Sequence, residues 1–569
     1  MLLHLGTMPT LVVSSPAAAR EVMKAHDVDC CSRPVTPGAR RLSYGHKDVA
    51  FSPYGEYWRE AETMAVLDYC SRLPHQQWQT TILLVVVVPL VFLLLATRRR
   101  IRSRSSRRLP PGPPRLPILG NLHQLGALPH QSLRDLARRH GPTMLLRLGT
   151  MPTLVVSSPV AAREVMKAHD VDCCSRPVTP GARRLSYGHK DVAFSPYGEY
   201  WREVRKVVVV ELLSMRRVQS ATYAREAQVD RLVARLTSAA EVDKPVHLED
   251  HVFGLVDGVM GTVALGNIYG TEQFKHKKHF HDVLDEVMSA KAAFSAEDCY
   301  PNALGRLVDR LTGVAARRER VFRDLDGFLD LVIDQHLDPS RPTPEHGPDL
   351  VDAFVALMKE RSHLQEGSPL RFTRDHIKGL VSNVFTASID TSSVTMVWAM
   401  AELIRRPAIM KKVQEEIRAA VGDNKERVHP DDMPKLRYLK MVVKETLRLH
   451  PAAPLLLPRE TLRDTSICGY DVPAKTRPER FEAPGAVDFN GTHFELVPFG
   501  AGRRVCPGMA MATATVEFTL ANLLYCFDWA LPEGMAPEDV SMEEAGGLTV
   551  HKKTPLLLVP TRYYSHCQQ

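Results

Sequence analysis

The chain has 569 residues, 44% hydrophobic and 24% charged, enough apolar material for one large core or two or three ordinary ones. Its net charge of +8 is local: seven arginines lie between Arg98 and Arg108, and about +1 remains without them, which excludes a nucleic-acid-binding surface as the source of the basic balance. The ten cysteines show no CxxC spacing, so no zinc pattern of the usual kind is built on them, and reduced thiols in a cytosol-facing domain fit a chain of this length better than a disulfide framework.

The first element is a repeat. Residues 1–60 recur at 144–203 with two differences, His4 against Arg147 and Ala17 against Val160. Two near-identical copies are not a solenoid, whose repeats diverge and number at least three; a duplication or a gene-assembly error explains them better. The second copy continues through Trp201-Arg202-Glu203-Val204-Arg205-Lys206, whereas the first breaks into Ala61-Glu62-Thr63, with Glu62 where the second has Arg205. Residues 1–63 are therefore read as an extra segment without a core of its own, and Met64 as a natural start.

Residues 64–97 carry a nearly continuous apolar run from Ile82 to Leu95, broken by Pro89, with Trp78 at one edge and arginines after it. Charge following the apolar run is the reverse of a cleaved signal peptide. The spacing predicts a transmembrane anchor helix, and the positive-inside rule puts everything after Arg98 in the cytosol, with the anchor in the endoplasmic reticulum membrane. Residues 98–114 are a basic linker ending in Leu109-Pro110-Pro111-Gly112-Pro113-Pro114, too stiff and donor-poor for helix or sheet.

Residues 115–569 read as one mainly helical domain with small β-sheets. Strands are predicted at Met144–Leu148 and Thr153–Ser157, helices at Leu133–Arg139 and Pro159–His169. Trp201 and Arg205 share a helix face. From 211 to 365 the pattern is helical, and the glycines between Gly254 and Gly261 do not make a nucleotide-binding turn. Ile377–Arg405 predicts a helix crossing the whole domain. Its polar stretch Ser388-Ile389-Asp390-Thr391-Ser392-Ser393 is costly to bury unless used. Asp390 and Thr391 suit a water file that delivers protons, against the plainer reading of hydroxyls bonded back to helix carbonyls. Lys435–Leu449 predicts an amphipathic helix with Glu445 and Arg448 paired at i, i+3.

The last motif is Phe499-Gly500-Ala501-Gly502-Arg503-Arg504-Val505-Cys506-Pro507-Gly508, followed by helical periodicity through Met509, Ala512, Val516 and Leu520. A cysteine at a loop-to-helix junction faces N–H groups that stabilise a thiolate, a strong ligand for iron. Gly502 and Gly508 would admit a flat macrocycle, and Arg504 would neutralise a carboxylate arm.

The pattern Phe-x-x-Gly-x-Arg-x-Cys-x-Gly resembles the haem-binding loop of the plant microsomal cytochrome P450 family, and the anchor, hinge and long helix follow that family's order. The resemblance implies a cytochrome P450 fold holding haem b through Cys506. It implies Trp201, Arg205, Arg459 and Arg504 as propionate partners, and Asp390 with Thr391 as a proton relay. It also implies a buried triad of Glu445, Arg448 and Arg480 beneath the haem. Two departures stand out: Ser388 replaces the family's usual glycine, and Arg477 joins Pro478 directly where a strand, a short helix and a loop normally intervene. The implied activity is a monooxygenase fed electrons by NADPH-cytochrome P450 reductase. It would turn an aromatic aldoxime such as 4-hydroxyphenylacetaldehyde oxime into a cyanohydrin through a nitrile. The implied partners are that reductase, membrane lipid through the anchor and a small hydrophobic substrate, with no nucleic acid. The alternatives are hydroxylation of another plant specialised metabolite, or a non-catalytic product of mis-splicing or a pseudogene.

Overall fold

The computed structural model describes residues 2–5, 8–11 and 108–563, apart from 212, 267–276, 293–294, 343, 345, 365–370, 423–424 and 481–492. The chain divides into two units, Met1–Ser106 and Arg107–Gln569. In the first, β1 (Leu2–Leu5) pairs antiparallel with β2 (Met8–Leu11), Leu2 opposite Leu11. The anchor expected at 64–97 lies outside the described residues, and among those described no helix is long and apolar enough to cross a membrane.

The second unit opens with α1 (Pro129–His140), started by Pro129 and closed at Gly141, burying Leu133, Leu136 and Ala137. It leads into β3 (Thr143–Leu148) and β4 (Met151–Val156), an antiparallel hairpin with Leu145 opposite Leu154. This is the register of β1 and β2 carried 143 residues along, so local letters that differ only at His4 and Arg147 make the same hairpin in both units. Next come α2 (Pro159–Arg163), a π-helical turn at Glu164–Ala168, α3 (Glu199–Glu211), α4 (Thr222–Ala240), the short strand β5 (Val246–His247), α5 (Leu248–Leu265), α6 (Ala303–Leu311) and α7 (Val314–Leu337).

The scaffold is α8 (Arg374–Arg405), 32 residues long and unbroken through Ser388. It starts three residues before the predicted bound because Thr373 and His376 form a reciprocal cap, and Pro407 opens the next helix, α9 (Pro407–Val421). Ile377, Leu380, Phe385, Met396 and Ala399 are buried on it. α5 lies along α8; α10 (Arg437–Leu449) and α11 (Met509–Cys526) pack against it from other sides. The apolar core is the space these helices share.

Between α10 and α11 the chain forms the hairpin β6 (Thr465–Ile467) and β7 (Tyr470–Val472), then β8 (Arg477–Arg480). The strand expected to be missing at this junction has a stand-in: β8 runs parallel to β4, Arg477 opposite Thr153 and Arg480 opposite Val156. Because β8 contains Pro478, it pairs with one donor fewer than an ordinary strand and sits at the sheet edge. After α11, β9 (Phe527–Ala530) and β12 (Leu557–Arg562) pair, with β5 on the far side of β12. Between them β10 (Glu544–Ala545) pairs with β11 (His551–Lys552), closing the loop 546–550.

Candidate functional site

A cavity of about 340 Å³ opens between α5, α8, α10 and the start of α11. Among the six described cysteines, Cys506 is the one that lines it. Its N–H donates to the Phe499 carbonyl at 2.8 Å, which folds the loop back on itself. Burial pushes the thiol pKa up, while an N–H from Gly508 and the charge of Arg205 pull it down. Such a sulfur becomes a thiolate when a metal cation supplies the missing charge. Cys173 and Cys174 are buried away from the cavity lining and pushed up to about 12 and about 11, mainly by desolvation, so they behave as packing residues.

Gly508 lines the cavity, as does Gly500, whereas Gly502 serves a packing purpose. Gly500 and Gly502 have φ of 71° and 67°, where a side chain is strained. A Cβ on Gly502 would lie 2.2 Å from the Met166 carbonyl oxygen. At Gly502 the close approach is to the turn at 164–170. Asp170 on that turn accepts from the Arg503 N–H at 2.8 Å and from Arg459 Nη1 at 3.2 Å, fixing the loop from below. Asp170 was not foreseen, and 333 residues separate it from Arg503.

Three of the four expected propionate partners, Arg205, Arg459 and Arg504, line the cavity. Trp201 is buried behind them, its indole N–H donating to the Val192 carbonyl at 3.0 Å, with the Arg504 guanidinium 4.0 Å from its ring centre. Arg504 donates to Cys174 O and Ser195 O, both at 2.7 Å; Arg205 donates to Val505 O at 2.6 Å; Arg459 donates to Ala501 O at 2.7 Å. Burial, with repulsion from Arg459 and Arg205, lowers the pKa of Arg504 to about 10. Arg176, not foreseen, also lines the cavity and holds the Leu457 and Pro458 carbonyls, each at 2.7 Å. Buried cations held largely by carbonyl dipoles favour an anion beside them. A half-buried cysteine sulfur facing the cavity, several guanidinium groups and apolar walls are the donor set that a haem with two carboxylate arms requires, so the residues fit that group.

Opposite Cys506, α8 presents Ala387, Ser388 and Thr391 to the cavity. Thr391 Oγ1 donates to Ala387 O and Ser388 Oγ to Val384 O, both at 2.6 Å. Both hydroxyls thus bond back to the helix, and their lone pairs remain for an acceptor role. Asp390 is not among the cavity-lining residues. Its carboxylate accepts from Thr549 Oγ1 and lies 3.0 Å from His551 Nε2.

The Glu445–Arg448 pair forms, at 2.6 and 2.8 Å, but not in a buried setting: the Glu445 side chain is 55% exposed. This corrects the expectation of burial. Arg480 falls in β8 opposite Val156, and its side chain lies outside the described residues.

Comparison with known proteins bears on this geometry. The family profile described as Cytochrome P450 matches residues 110–477 and 477–559, two stretches that meet at Arg477. The chain is 60% identical to 4-hydroxyphenylacetaldehyde oxime monooxygenase of Sorghum bicolor, over 86% of this chain and 96% of that protein. It is 45% identical to 2-methylbutanal oxime monooxygenase of Manihot esculenta, over 80% of this chain and 91% of that one. It is also 45% identical to cytochrome P450 71B23 of Arabidopsis thaliana, over 81% and 95%. A solved zebrafish cytochrome P450 with progesterone superposes with a TM-score of 0.64 over 76% of this chain and 99% of that one, at 23% identity, a likeness of fold.

Proposed function

The chain belongs to the cytochrome P450 family of haem-thiolate monooxygenases, and from that premise we propose that it converts an aromatic aldoxime, such as 4-hydroxyphenylacetaldehyde oxime, to a cyanohydrin through a nitrile. The observation that carries this reading is the 60% identity to an oxime monooxygenase across 96% of its length, with a second oxime monooxygenase at 45%.

Bound haem supplies the electron transfer and oxygen activation that no side chain can. Cys506 would hold its iron; Arg205, Arg459 and Arg504 would hold its carboxylates, with Trp201 keeping Arg504 in place. The first step, loss of water from the oxime, breaks the N–O bond and the carbon–hydrogen bond, and the proton lost from carbon balances, by way of water, the one that converts the departing hydroxyl to water. With its hydrogen on Ala387 O, Thr391 Oγ1 accepts from a water or from the oxime hydroxyl and so orients it. Ser388 does the same one turn earlier. Val256, Val259, Met260 and Leu548 suit an aromatic ring and keep bulk water out. Electrons would arrive from NADPH through a reductase on the Cys506 side, with the domain on the cytosolic face of the endoplasmic reticulum membrane. The basic run before the domain supports that membrane placement.

The test is incubation of the expressed protein with reductase, NADPH and 4-hydroxyphenylacetaldehyde oxime. Nitrile and cyanohydrin should appear, and Cys506→Ser should abolish both together with the thiolate Soret band of the reduced, carbon-monoxide-bound form. A normal spectrum without either product sinks the aldoxime reading.

One observation favours a second reading, a chain that does not hold haem. The family match breaks at Arg477. There, Thr153 Oγ1, Thr476 Oγ1 and Arg477 Nε are buried without a hydrogen-bond partner among the described residues. Absence of the thiolate band in the unmutated protein would favour that reading over the first.

A further inference from the structure

Asp390 lies on the helix that faces Cys506, yet its carboxylate turns to the loop 546–550 near the end of the chain. Thr549 Oγ1 donates to Asp390 Oδ2. His551 Nε2 lies 3.0 Å from Asp390 Oδ1 and 2.9 Å from Thr549 Oγ1, so the three side chains close a ring of polar contacts. The Phe253 ring of α5 lies nearly parallel to His551, with a ring-centre separation of 6.1 Å and an angle of 10°. Two backbone ties flank the ring: the Val550 N–H donates to Ala452 O and Trp398 Nε1 donates to Val550 O, each at 2.9 Å.

The loop needs these ties. Gly546 and Gly547 precede Leu548, and two glycines in a row leave the backbone many conformations of similar energy. Leu548 and Thr549 nevertheless form part of the cavity wall, and Thr549 is only 4% exposed. A wall built on a glycine pair keeps its shape only if something outside the loop holds it.

We propose that Asp390 is a positioning residue: with His551 it pins Thr549, and through Thr549 the 546–550 loop, so that Leu548 closes the cavity against the substrate. The identity of that substrate rests on the aldoxime reading above; the clamp itself does not. His551 carries the distinction because it does not line the cavity. The carboxylate charge is spent on the loop, and Thr391 is left as the hydroxyl that faces the cavity.

The experiment is hydrogen–deuterium exchange at residues 548–551 in the haem-loaded full chain, alongside steady-state kinetics with 4-hydroxyphenylacetaldehyde oxime. His551→Phe keeps an aromatic ring beside Phe253 and removes the donor to Asp390. It should raise exchange at 548–551 and KM by roughly tenfold, the consequence of losing a hydrogen bond to a charged group, while kcat stays within about twofold. His551→Gln retains a donor and should restore both values most of the way. Thr549→Val, nearly isosteric, should raise the same exchange and serves if His551→Phe does not fold. Unchanged exchange in both His551→Phe and Thr549→Val overturns the clamp. So does a fall in kcat at constant KM in His551→Phe, the mark of a proton relay. If the unmutated protein makes no nitrile, the aldoxime reading fails and the exchange comparison alone still decides the clamp.

Discussion

His376 sits in the first turn of α8 and is 7% exposed. Its Nδ1 accepts the Thr373 N–H at 3.1 Å and lies 2.7 Å from Thr373 Oγ1, so that nitrogen carries no proton. Burial lowers its pKa to about 4, Lys190 adds repulsion, and Asp375 opposes both. The unfolded chain would protonate His376 near 6.5, so between 6.5 and 4 the unfolded state holds the extra proton and stability falls as the solution is acidified. The two-and-a-half-unit gap corresponds to roughly 3 kcal/mol at most. His376→Gln keeps an acceptor at the third cap position while removing the titration. The denaturation midpoint of His376→Gln should therefore decline less between pH 6.5 and 4 than that of the parent; parallel profiles would count against a neutral buried His376. At this scale Cys506 was open to reading from its neighbours alone, because a ligand loop is a contiguous pattern. Asp170 and Arg176 were not: their contacts with Arg503 and with the carbonyls of Leu457 and Pro458 join residues hundreds of positions apart, and no periodicity records that.

The element α6 buries only Gly305 and Asp309. Leu304, Leu307, Val308 and Leu311 fall at i, i+3, i+4 and i+7, a single apolar stripe, and all four are exposed, Leu311 at 78%. Ile118, 76% exposed, lies close by, its carbonyl accepting from Tyr300 Oη at 3.2 Å. An apolar stripe left open by its own fold is costly in water and favourable on lipid. In a chain starting at Arg107, where the expected anchor cannot carry flotation by itself, Leu307→Asp with Leu311→Asp should cut co-flotation with phospholipid vesicles by at least about fivefold without moving the melting temperature, since neither side chain is in the core. Undiminished flotation would assign membrane attachment elsewhere in the chain. Helices of this kind announce themselves by spacing, which is why α8, α10 and α11 were placed within a few residues from sequence. The bounds of the two-residue strands β10 and β11 are not legible in the same way, because alternation cannot be read over two positions, although they hold the loop that Asp390 grips.

For the whole molecule the consequential fact is that one segment occurs twice. Residues 144–203 supply Asp170, Arg176 and Trp201 and lead directly to Arg205; residues 1–60 carry the same letters at Asp27, Arg33 and Trp58 but lead to Glu62. The β1–β2 hairpin has the register of β3–β4, so the first copy holds the local information to make the same element. A folding chain is then offered two segments for one place in the core, a degeneracy that natural sequences avoid. A chain that uses the first copy would bring Glu62 to the position of Arg205, placing a carboxylate where a cation stands beside Cys506. That arrangement disfavours a thiolate and a second anion alike. We predict that a chain starting at Met64 takes up haem in a larger fraction of molecules than the full chain, by up to about twofold if the copies compete equally. The melting temperature of the loaded fraction should be the same for both. Refolding followed by tryptophan fluorescence should show a slow phase in the full chain that is missing from the shorter one. Equal haem uptake with identical refolding phases would mean that the first copy never competes, and the loss of function, if any, would then trace to the junction at Arg477 instead.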